Sequence, residues 1–175
     1  MILPSLDRSP VPATGLRAAP VGARRRERAL VGLAVLTAYS TAVGWQAQLV
    51  SYPLYRAVAA EDFLAYHAQY NGAIPVVVIV PGFVSFLAGI ALPWTRPAWV
   101  PPRVAGLVAA AGAVSLASTV AWAIPMHDRL DRLGQDAATI DSLLSANLVR
   151  SLALTVGTVA LAGLLAGRAC RSAEG

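Results

Sequence analysis

Apolar residues are gathered into four long stretches along the chain. These stretches cover residues 29–50, 73–92, 104–124 and 148–167. About 20 helical residues, each rising about 1.5 Å, cross the ~30 Å hydrocarbon core of a bilayer. The pattern therefore predicts four transmembrane helices. The expected fold is all-α, an integral membrane antiparallel four-helix bundle.

The composition agrees with insertion in a membrane. Of the 175 residues, 57% are hydrophobic and only 13% are charged, which is far from the composition of soluble domains. We expect a disordered basic segment at residues 1–28, a four-span domain at 29–167 and a short tail at 168–175. Neither flanking segment is long enough to bury a second core.

The charged residues predict how the helices are oriented. Arginines precede the first span at residues 24–28 and occur without acids in the connection 93–103, whereas the connections 51–72 and 125–146 hold most of the acids. Basic loops remain in the cytoplasm. We therefore expect a multi-pass protein of the inner (plasma) membrane with both termini cytoplasmic. Because anionic lipid explains the basic cluster, no nucleic-acid partner is expected.

The first outer connection contains a second helical pattern. Phe63, His67, Tyr70 and Ile74 recur at helical spacing, with polar residues between them. This arrangement predicts a short interfacial helix over residues 61–70 on the outer face.

Two features of the spans concern their packing. Pro81 and Gly82 predict a kink in the second span or a backbone carbonyl freed of its donor. No matching break is evident in another span, which favours kinked packing over a transport site. Small residues in 105–112 and 157–163 predict close approach between helices.

Polar and aromatic side chains from four segments fall at one depth on the outer side in this topology. An Arg or Asn in a span usually faces the bundle interior, because exposure to lipid is costly. We therefore predict a site there. Its candidate catalytic residues are His67, His127, Asn147 and Arg150. Its candidate substrate-binding residues are Trp45, Gln48, Tyr52, Tyr66, Tyr70 and Trp122.

Structural roles are open for the same residues. His67 can pack at the membrane interface, and His127 can end the third helix. Arg150 can extend outward and pair with Asp141 or Asp128. Gln48 and Tyr52 can form hydrogen bonds between helices.

The spacing of these residues resembles that of a known family. The elements are Trp45-x-x-Gln48-x-x-x-Tyr52-Pro53, Phe63-x-x-Tyr66-His67, Pro125-x-His127-x-x-Leu130 and Asn147-x-x-Arg150. Over residues 30–167 the chain is similar to the anthrone oxygenase-like family, small four-span bacterial membrane proteins mostly of unknown function. It departs from that pattern at Leu148 and Ser151, where an aromatic residue and a threonine are expected.

The resemblance implies cofactor-independent oxygenation of an electron-rich polycyclic phenol, without a tightly bound metal or flavin. The substrate is deprotonated and its carbanion reacts with O₂. His67 or His127 suits a general base, because imidazole titrates near neutral pH. Arg150, Asn147 and Gln48 suit an oxyanion site. The aromatic candidates would form apolar walls for the ring system.

Other functions remain open, including whether the protein is an enzyme. It can be a non-catalytic membrane subunit, a scaffold or a carrier of a lipid-soluble ligand. A scaffold should fill the space beneath the outer connections with side chains, whereas an enzyme needs a cavity there. Copper or haem bound through His67 and His127 is a further alternative, but no metal-binding spacing supports it and no cofactor is predicted. The expected partners are the bilayer, an apolar substrate and, as an open possibility, further copies of the chain.

Overall fold

Helices make up the regular structure of the chain. The computed structural model describes residues 21–174, and every regular element within that range is helical. The prediction of an all-helical chain with four long apolar helices is confirmed. These helices are α1 (Val21–Ala57), α2 (Phe63–Thr95), α3 (Pro102–Leu133) and α4 (Ala137–Ala173).

The outer surface of the helices is strongly apolar. Val76 and Trp94 each expose 77% of their surface, and Leu49 exposes 69%. Soluble monomers rarely expose contiguous apolar surface on this scale, whereas bilayer hydrocarbon accommodates it. Each helix also contains an 18-residue window with a mean hydropathy of at least 1.2. The four helices are therefore compatible with a multi-pass membrane protein in contact with lipid.

Helix α1 begins earlier than the charge pattern suggests. The sequence predicts disorder through residue 28, yet the helix starts at Val21 and includes the arginines at 24–28. Alanine and arginine are good helix formers, and extending an existing helix needs no new nucleus. Residues 1–20, the rest of the predicted disordered segment, lie outside the described range.

The expected interfacial helix is part of a longer element. Residues 63–70 are helical, but the helix continues through Pro75 to Thr95 and forms the first turns of α2. Asn71 and Gly72 are weak helix formers, but they do not end it, because each costs at most about 1 kcal/mol and propagation is otherwise favourable.

Three of the four helices contain a π-helical segment. Each segment ends two residues before a proline. Proline lacks an N–H group and collides with the carbonyl four residues earlier, so the turn widens there. The break expected at Pro81 thus has two counterparts that the sequence analysis overlooked. The segments and their prolines are Ala47–Ser51 with Pro53, Pro75–Ile79 with Pro81, and Thr119–Ala123 with Pro125.

Buried apolar side chains form two clusters, each with residues from all four helices. We call them the aliphatic end and the aromatic end. The aliphatic end consists of Leu30, Leu33, Leu92, Val100, Ala105, Val108 and Leu161. The aromatic end is built around Ala47, Tyr52, Tyr55, Phe63, Ala123, Leu130, Ile140, Leu143 and Ala146.

Small residues bring α2 and α3 close together. A Cβ atom at Gly112 would lie 2.7 Å from the backbone oxygen of Phe86, which is closer than van der Waals contact permits. The close approach predicted for residues 105–112 is therefore found. In the second predicted stretch, Gly157 packs against Ala111, whereas Gly163 has no neighbour of this kind within 4 Å among the described residues.

Candidate functional site

Four side chains form a continuous hydrogen-bonded chain at the aromatic end. His67 Nδ1 lies 2.6 Å from Asp131 Oδ1, and His67 Nε2 lies 3.1 Å from His127 Nδ1. His127 Nε2 in turn lies 3.3 Å from the hydroxyl oxygen of Tyr52. The His67 side chain is fully buried, whereas that of Asp131 is 44% exposed. This hydrogen-bonded series of side chains therefore connects the buried phenol of Tyr52 to the Asp131 carboxylate at the surface.

The donors in this chain follow from the chemistry of each group. An ionised carboxylate only accepts hydrogen bonds, so His67 Nδ1 donates to Asp131. A neutral imidazole has one donor and one acceptor nitrogen; His67 Nε2 therefore accepts from His127 Nδ1. His127 Nε2 then accepts from the Tyr52 hydroxyl. In all three hydrogen bonds the donated hydrogen therefore points towards Asp131. The Tyr52 oxygen donates in this arrangement and keeps its lone pairs free to accept a further hydrogen bond.

Helical spacing aligns the members of this chain. His127 and Asp131 are four residues apart on α3, and His67 and Asn71 are four residues apart on α2. The Asn71 amide donates to both carboxylate oxygens of Asp131, at 3.2 and 3.1 Å. The sequence analysis did not select Asp131 or Asn71. The i, i+4 spacing from each histidine is the signal that would have identified them.

Aromatic rings enclose the two imidazoles. Phe63 stacks on His67 with ring centroids 5.5 Å apart, and Tyr70 stacks on His127 at 6.3 Å. Tyr55, which is fully buried, meets His67 and Tyr70 edge-on. These contacts restrict rotation of the imidazoles and keep the hydrogen-bonded chain aligned. Tyr55 is another residue that the sequence analysis missed, although it follows Tyr52 at helical spacing.

A second polar group connects α1 and α4. Arg150 Nη2 donates to Asn147 Oδ1. The Asn147 amide donates to the Gly44 carbonyl at 3.0 Å and to Gln48 Oε1 at 2.8 Å. The buried amide thus holds the guanidinium in place and ties it to α1.

The partner suggested for Arg150 is engaged elsewhere. Asp141 pairs with Arg56, and Arg150 is only 6% exposed, so the interpretation of Arg150 as an outward-facing partner of Asp141 is wrong. No carboxylate pairs with Arg150 among residues 21–174. A buried cation without a counter-charge is strongly unfavourable. Arg150 is therefore suited to pair with an anionic group of a ligand.

A cavity lies between the histidine chain and Arg150. Its volume is about 30 Å³, room for one or two water molecules, because side chains fill most of this region. Tyr52, Tyr70 and His127 line it together with Arg150. All three π-helical segments contribute lining residues as well. Such segments are frequent at functional sites, because the wider turn re-aims neighbouring side chains.

Several predicted site residues stand behind this lining rather than in it. His67 contacts the cavity through its bond to His127, and Asn147 does so through its bond to Arg150. Gln48 is one step further away, since it bonds to Asn147. These three residues are placed to orient the groups that line the cavity.

The remaining predicted aromatic residues lie outside the cavity lining. Trp45 Nε1 donates to Thr155 at 3.0 Å, and Trp122 Nε1 donates to Ser142 at 2.8 Å. Both indoles therefore tie their helices to α4. Tyr66 packs edge-on against Tyr55 and is partly exposed.

The two histidines already use all four ring nitrogens in hydrogen bonds. Within the part of the chain that the structure describes, no three His, Cys, Asp or Glu residues are grouped to hold a metal ion. A metal ion or haem iron bound by His67 and His127 would have to replace at least one of these hydrogen bonds. That alternative stays a prediction.

The chain was compared with known proteins at three levels. It matches no protein-family model, no curated protein and no solved structure. The resemblance to anthrone oxygenase-like proteins stays a prediction.

Proposed function

We propose that this chain is an antiparallel four-helix bundle in the plasma membrane of a bacterial cell, with both termini in the cytoplasm. The aliphatic end supports the alternating direction, because it joins the beginnings of α1 and α3 to the last parts of α2 and α4. Glu27 there contacts Trp99 and Arg168. The arginine-rich segments lie at this end, which the positive-inside rule assigns to the cytoplasm. The aromatic end then faces outward.

We also propose that the protein is an enzyme that removes a proton from an apolar hydroxyaromatic molecule. The observation that carries this proposal is the arrangement of a proton-accepting chain and an unpaired Arg150 around one cavity. A scaffold has no need of either group. A buried cation opposite a base is suited to a ligand that becomes negatively charged in the reaction.

The hydrogen-bonded chain supplies a route for the proton. The Tyr52 oxygen takes a proton from the ligand while its own proton passes to His127 Nε2. His127 Nδ1 then gives its proton to His67 Nε2, and His67 Nδ1 gives its proton to Asp131. The proton ends on an exposed carboxylate, and the ligand anion remains beside Arg150. Each transfer occurs along a hydrogen bond already present.

The resemblance adds the subsequent chemistry. After one C–H proton leaves an acidic methylene group, the carbanion attacks O₂ and, once protonated, forms a hydroperoxide. Loss of the second C–H proton breaks the O–O bond and releases water, leaving a carbonyl. One oxygen atom enters the product and the other becomes water. The CH₂ group supplies all four electrons, so no external reductant is needed.

A dihydroxyanthrone, which carries phenolic hydroxyls and the acidic CH₂ group, tests this proposal in nanodiscs that contain the purified protein. Oxygen uptake and the absorbance of the quinone product should rise together in the wild type. His127→Gln should lower kcat by about 10²–10⁴, the usual contribution of a general base. His67→Ala and Asp131→Asn should lower kcat with little change in KM, because they act through His127.

Asp128→Asn is the matched control for Asp131→Asn. Asp128 lies on the same helix, is exposed and has no ion-pair partner within residues 21–174. Its substitution should leave kcat unchanged. Saturable binding of the dihydroxyanthrone without turnover would instead support a ligand carrier. An absorption band or metal content lost in His67→Ala and His127→Ala would support the metal alternative.

A further inference from the structure

A second cavity opens beside the first, between α1 and α2. Its volume is about 20 Å³, room for one water molecule, so a larger molecule enters only when the side chains around it move. It shares Val43, Val78, Ile79, Thr119 and Arg150 with the cavity of the candidate site. We call it the side chamber. Since the two spaces share five lining residues, a molecule in the side chamber is adjacent to the histidine chain.

The side chamber reaches the outer surface at Tyr39. This residue lines both the chamber and a shallow groove on the outside of α1 and α2. Apart from the Tyr39 hydroxyl, the groove is lined by apolar and glycine residues, including Val35, Leu36 and Val84. In a membrane-inserted bundle this groove faces lipid tails, so the chamber lies next to the hydrocarbon phase.

A hydrogen bond closes the opening between the two helices. The Tyr39 hydroxyl donates to the Val77 carbonyl at 2.9 Å. That carbonyl lacks its usual α-helical donor because the residue four positions later, Pro81, has no N–H group. Tyr39 is 41% exposed, and outward rotation of its ring would break this one hydrogen bond and widen the mouth of the chamber that it lines. The bond is therefore a closure that costs little to open.

The chamber also contains an unsatisfied polar atom. Ser40 is 7% exposed, and its hydroxyl has no hydrogen-bond partner among the residues that the structure describes. A buried hydroxyl without a partner is unfavourable by about 1–3 kcal/mol. Phe83 and Phe86 supply aromatic walls in the same chamber. The lining thus suits an aromatic ring that carries one hydrogen-bonding group.

We propose that the side chamber admits hydroxyaromatic molecules from the lipid phase, with the Tyr39–Val77 bond as its closure. Ser40 binds the hydroxyl group of the entering molecule, and Arg150 receives that group at the inner end. This inference rests on the proposed function in one respect: it assumes that the entering molecule moves on to the cavity of the candidate site. It identifies the entry route and the ligand class, neither of which requires turnover.

Naphthol is the probe, and the protein is held in nanodiscs of phosphatidylcholine and phosphatidylglycerol. Stopped-flow fluorescence measures its association rate, dissociation rate and Kd. Naphthalene, which lacks the hydroxyl, and a water-soluble naphthol sulfonate serve as comparison ligands. We expect saturable binding of naphthol, weaker binding of naphthalene and little binding of the sulfonate.

Three variants test separately the Tyr39–Val77 closure, the binding of the hydroxyl group by Ser40 and the space available in the side chamber. Tyr39→Phe should speed both association and dissociation roughly two- to tenfold, the equivalent of one hydrogen bond, with little change in Kd. Ser40→Ala should weaken naphthol binding by a similar factor and leave naphthalene binding unchanged. Gly82→Leu should weaken binding of both ligands at least tenfold, because Gly82 lines the chamber and a Cβ there meets only the Phe86 ring, at ordinary contact distance.

Gly72→Leu is the matched control for Gly82→Leu. It lies on the same helix with nothing within 4 Å of its Cβ position among the described residues. It should bind naphthol like the wild type. Absence of saturable naphthol binding, or normal binding by Gly82→Leu, would overturn the inference. So would rapid binding of the sulfonate that is unaffected in Tyr39→Phe, since that result indicates entry from water. Failure of the proposed function differs, because turnover is then absent while naphthol binding still responds to these variants.

Discussion

The two ends of the bundle have cores made of different side chains. At the aliphatic end, leucine and valine side chains fill the core, and Glu27 bonds to both Arg168 and Trp99. At the aromatic end, the Tyr55 hydroxyl and the Asn71 carbonyl oxygen are buried without partners among residues 21–174. Unsatisfied buried groups lower stability. The aliphatic end therefore contributes to stability, whereas the aromatic end contains buried polar groups that lower it.

The largest expected loss of stability follows a substitution in the core of the aliphatic end. Leu161→Ala should lower the free energy of unfolding by about 2–5 kcal/mol, because the fully buried side chain leaves a cavity. Titration with dodecyl sulfate in mixed micelles measures this. Leu152→Ala on the same helix is the control, because Leu152 is 51% exposed. Equal losses in the two variants would contradict the assignment of the core.

A smaller loss is expected where α2 and α3 approach closely. Gly112→Ala should cost about 1–3 kcal/mol, because its Cβ would meet backbone atoms that cannot move aside alone. Gly106→Ala on the same helix has nothing within 4 Å among the described residues and should stabilise the protein slightly. The difference in thermal midpoint between the two variants measures the contact. A tolerated Gly112→Ala would show that the helices are separable there.

At the aromatic end we expect one substitution to leave the thermal stability unchanged or to raise it. Arg150→Met removes a buried, unpaired cation and retains much of the side-chain volume, so thermal stability should be unchanged or higher. Naphthol binding and dihydroxyanthrone turnover should both be lost. Asn147→Ala, which leaves the cation without its amide support, should instead lower stability. A strongly destabilised Arg150→Met would assign Arg150 to structure and remove the contrast between the two ends.

The smallest effect concerns the start of α4, outside the site. The Asp136 carboxylate accepts a hydrogen bond from the Thr139 backbone at 3.0 Å and another from the Thr139 hydroxyl. These bonds hold the pKa of the Asp136 carboxyl below its ordinary value. Their stabilisation is therefore present above the pKa of the unfolded chain and is lost as the pH falls through the lower folded pKa.

Asp136→Asn tests this pH dependence. Asparagine caps helices about as well as aspartate, so the thermal midpoint should change little at neutral pH. Below about pH 4 the wild type should lose more of its stability than Asp136→Asn. Asp128→Asn should follow the wild-type curve. Parallel curves for the wild type and Asp136→Asn would contradict the capping role.

Part of the candidate site was accessible from sequence. Tyr52, His127 and Arg150 lie on different helices, yet the predicted topology placed them at one depth, and they line the same cavity. The prediction relied only on helix direction and length. The role of Asp131 in completing the hydrogen-bonded histidine chain was not predictable in this way, because acids in an outer connection are explained by topology alone.

Other features depend on which partner a side chain meets. Asp141 was a reasonable partner for Arg150 in sequence, but its position on α4 brings it to Arg56 of α1. The π-helical segments were also missed. A proline predicts a break and a carbonyl without its usual donor, but which group then donates to that carbonyl depends on the neighbouring helix, as the Tyr39–Val77 bond illustrates.

Hydropathy and charge along the chain were sufficient for the number, the length and the apolar character of the helices. Those properties follow from residues close in sequence, because helix formation and transfer to an apolar phase are local. Packing alone decided that Arg150 has no carboxylate partner within residues 21–174, that the two imidazoles are hydrogen-bonded to each other and that a chamber opens between α1 and α2. These are properties of distances between helices, and no local pattern encodes such distances.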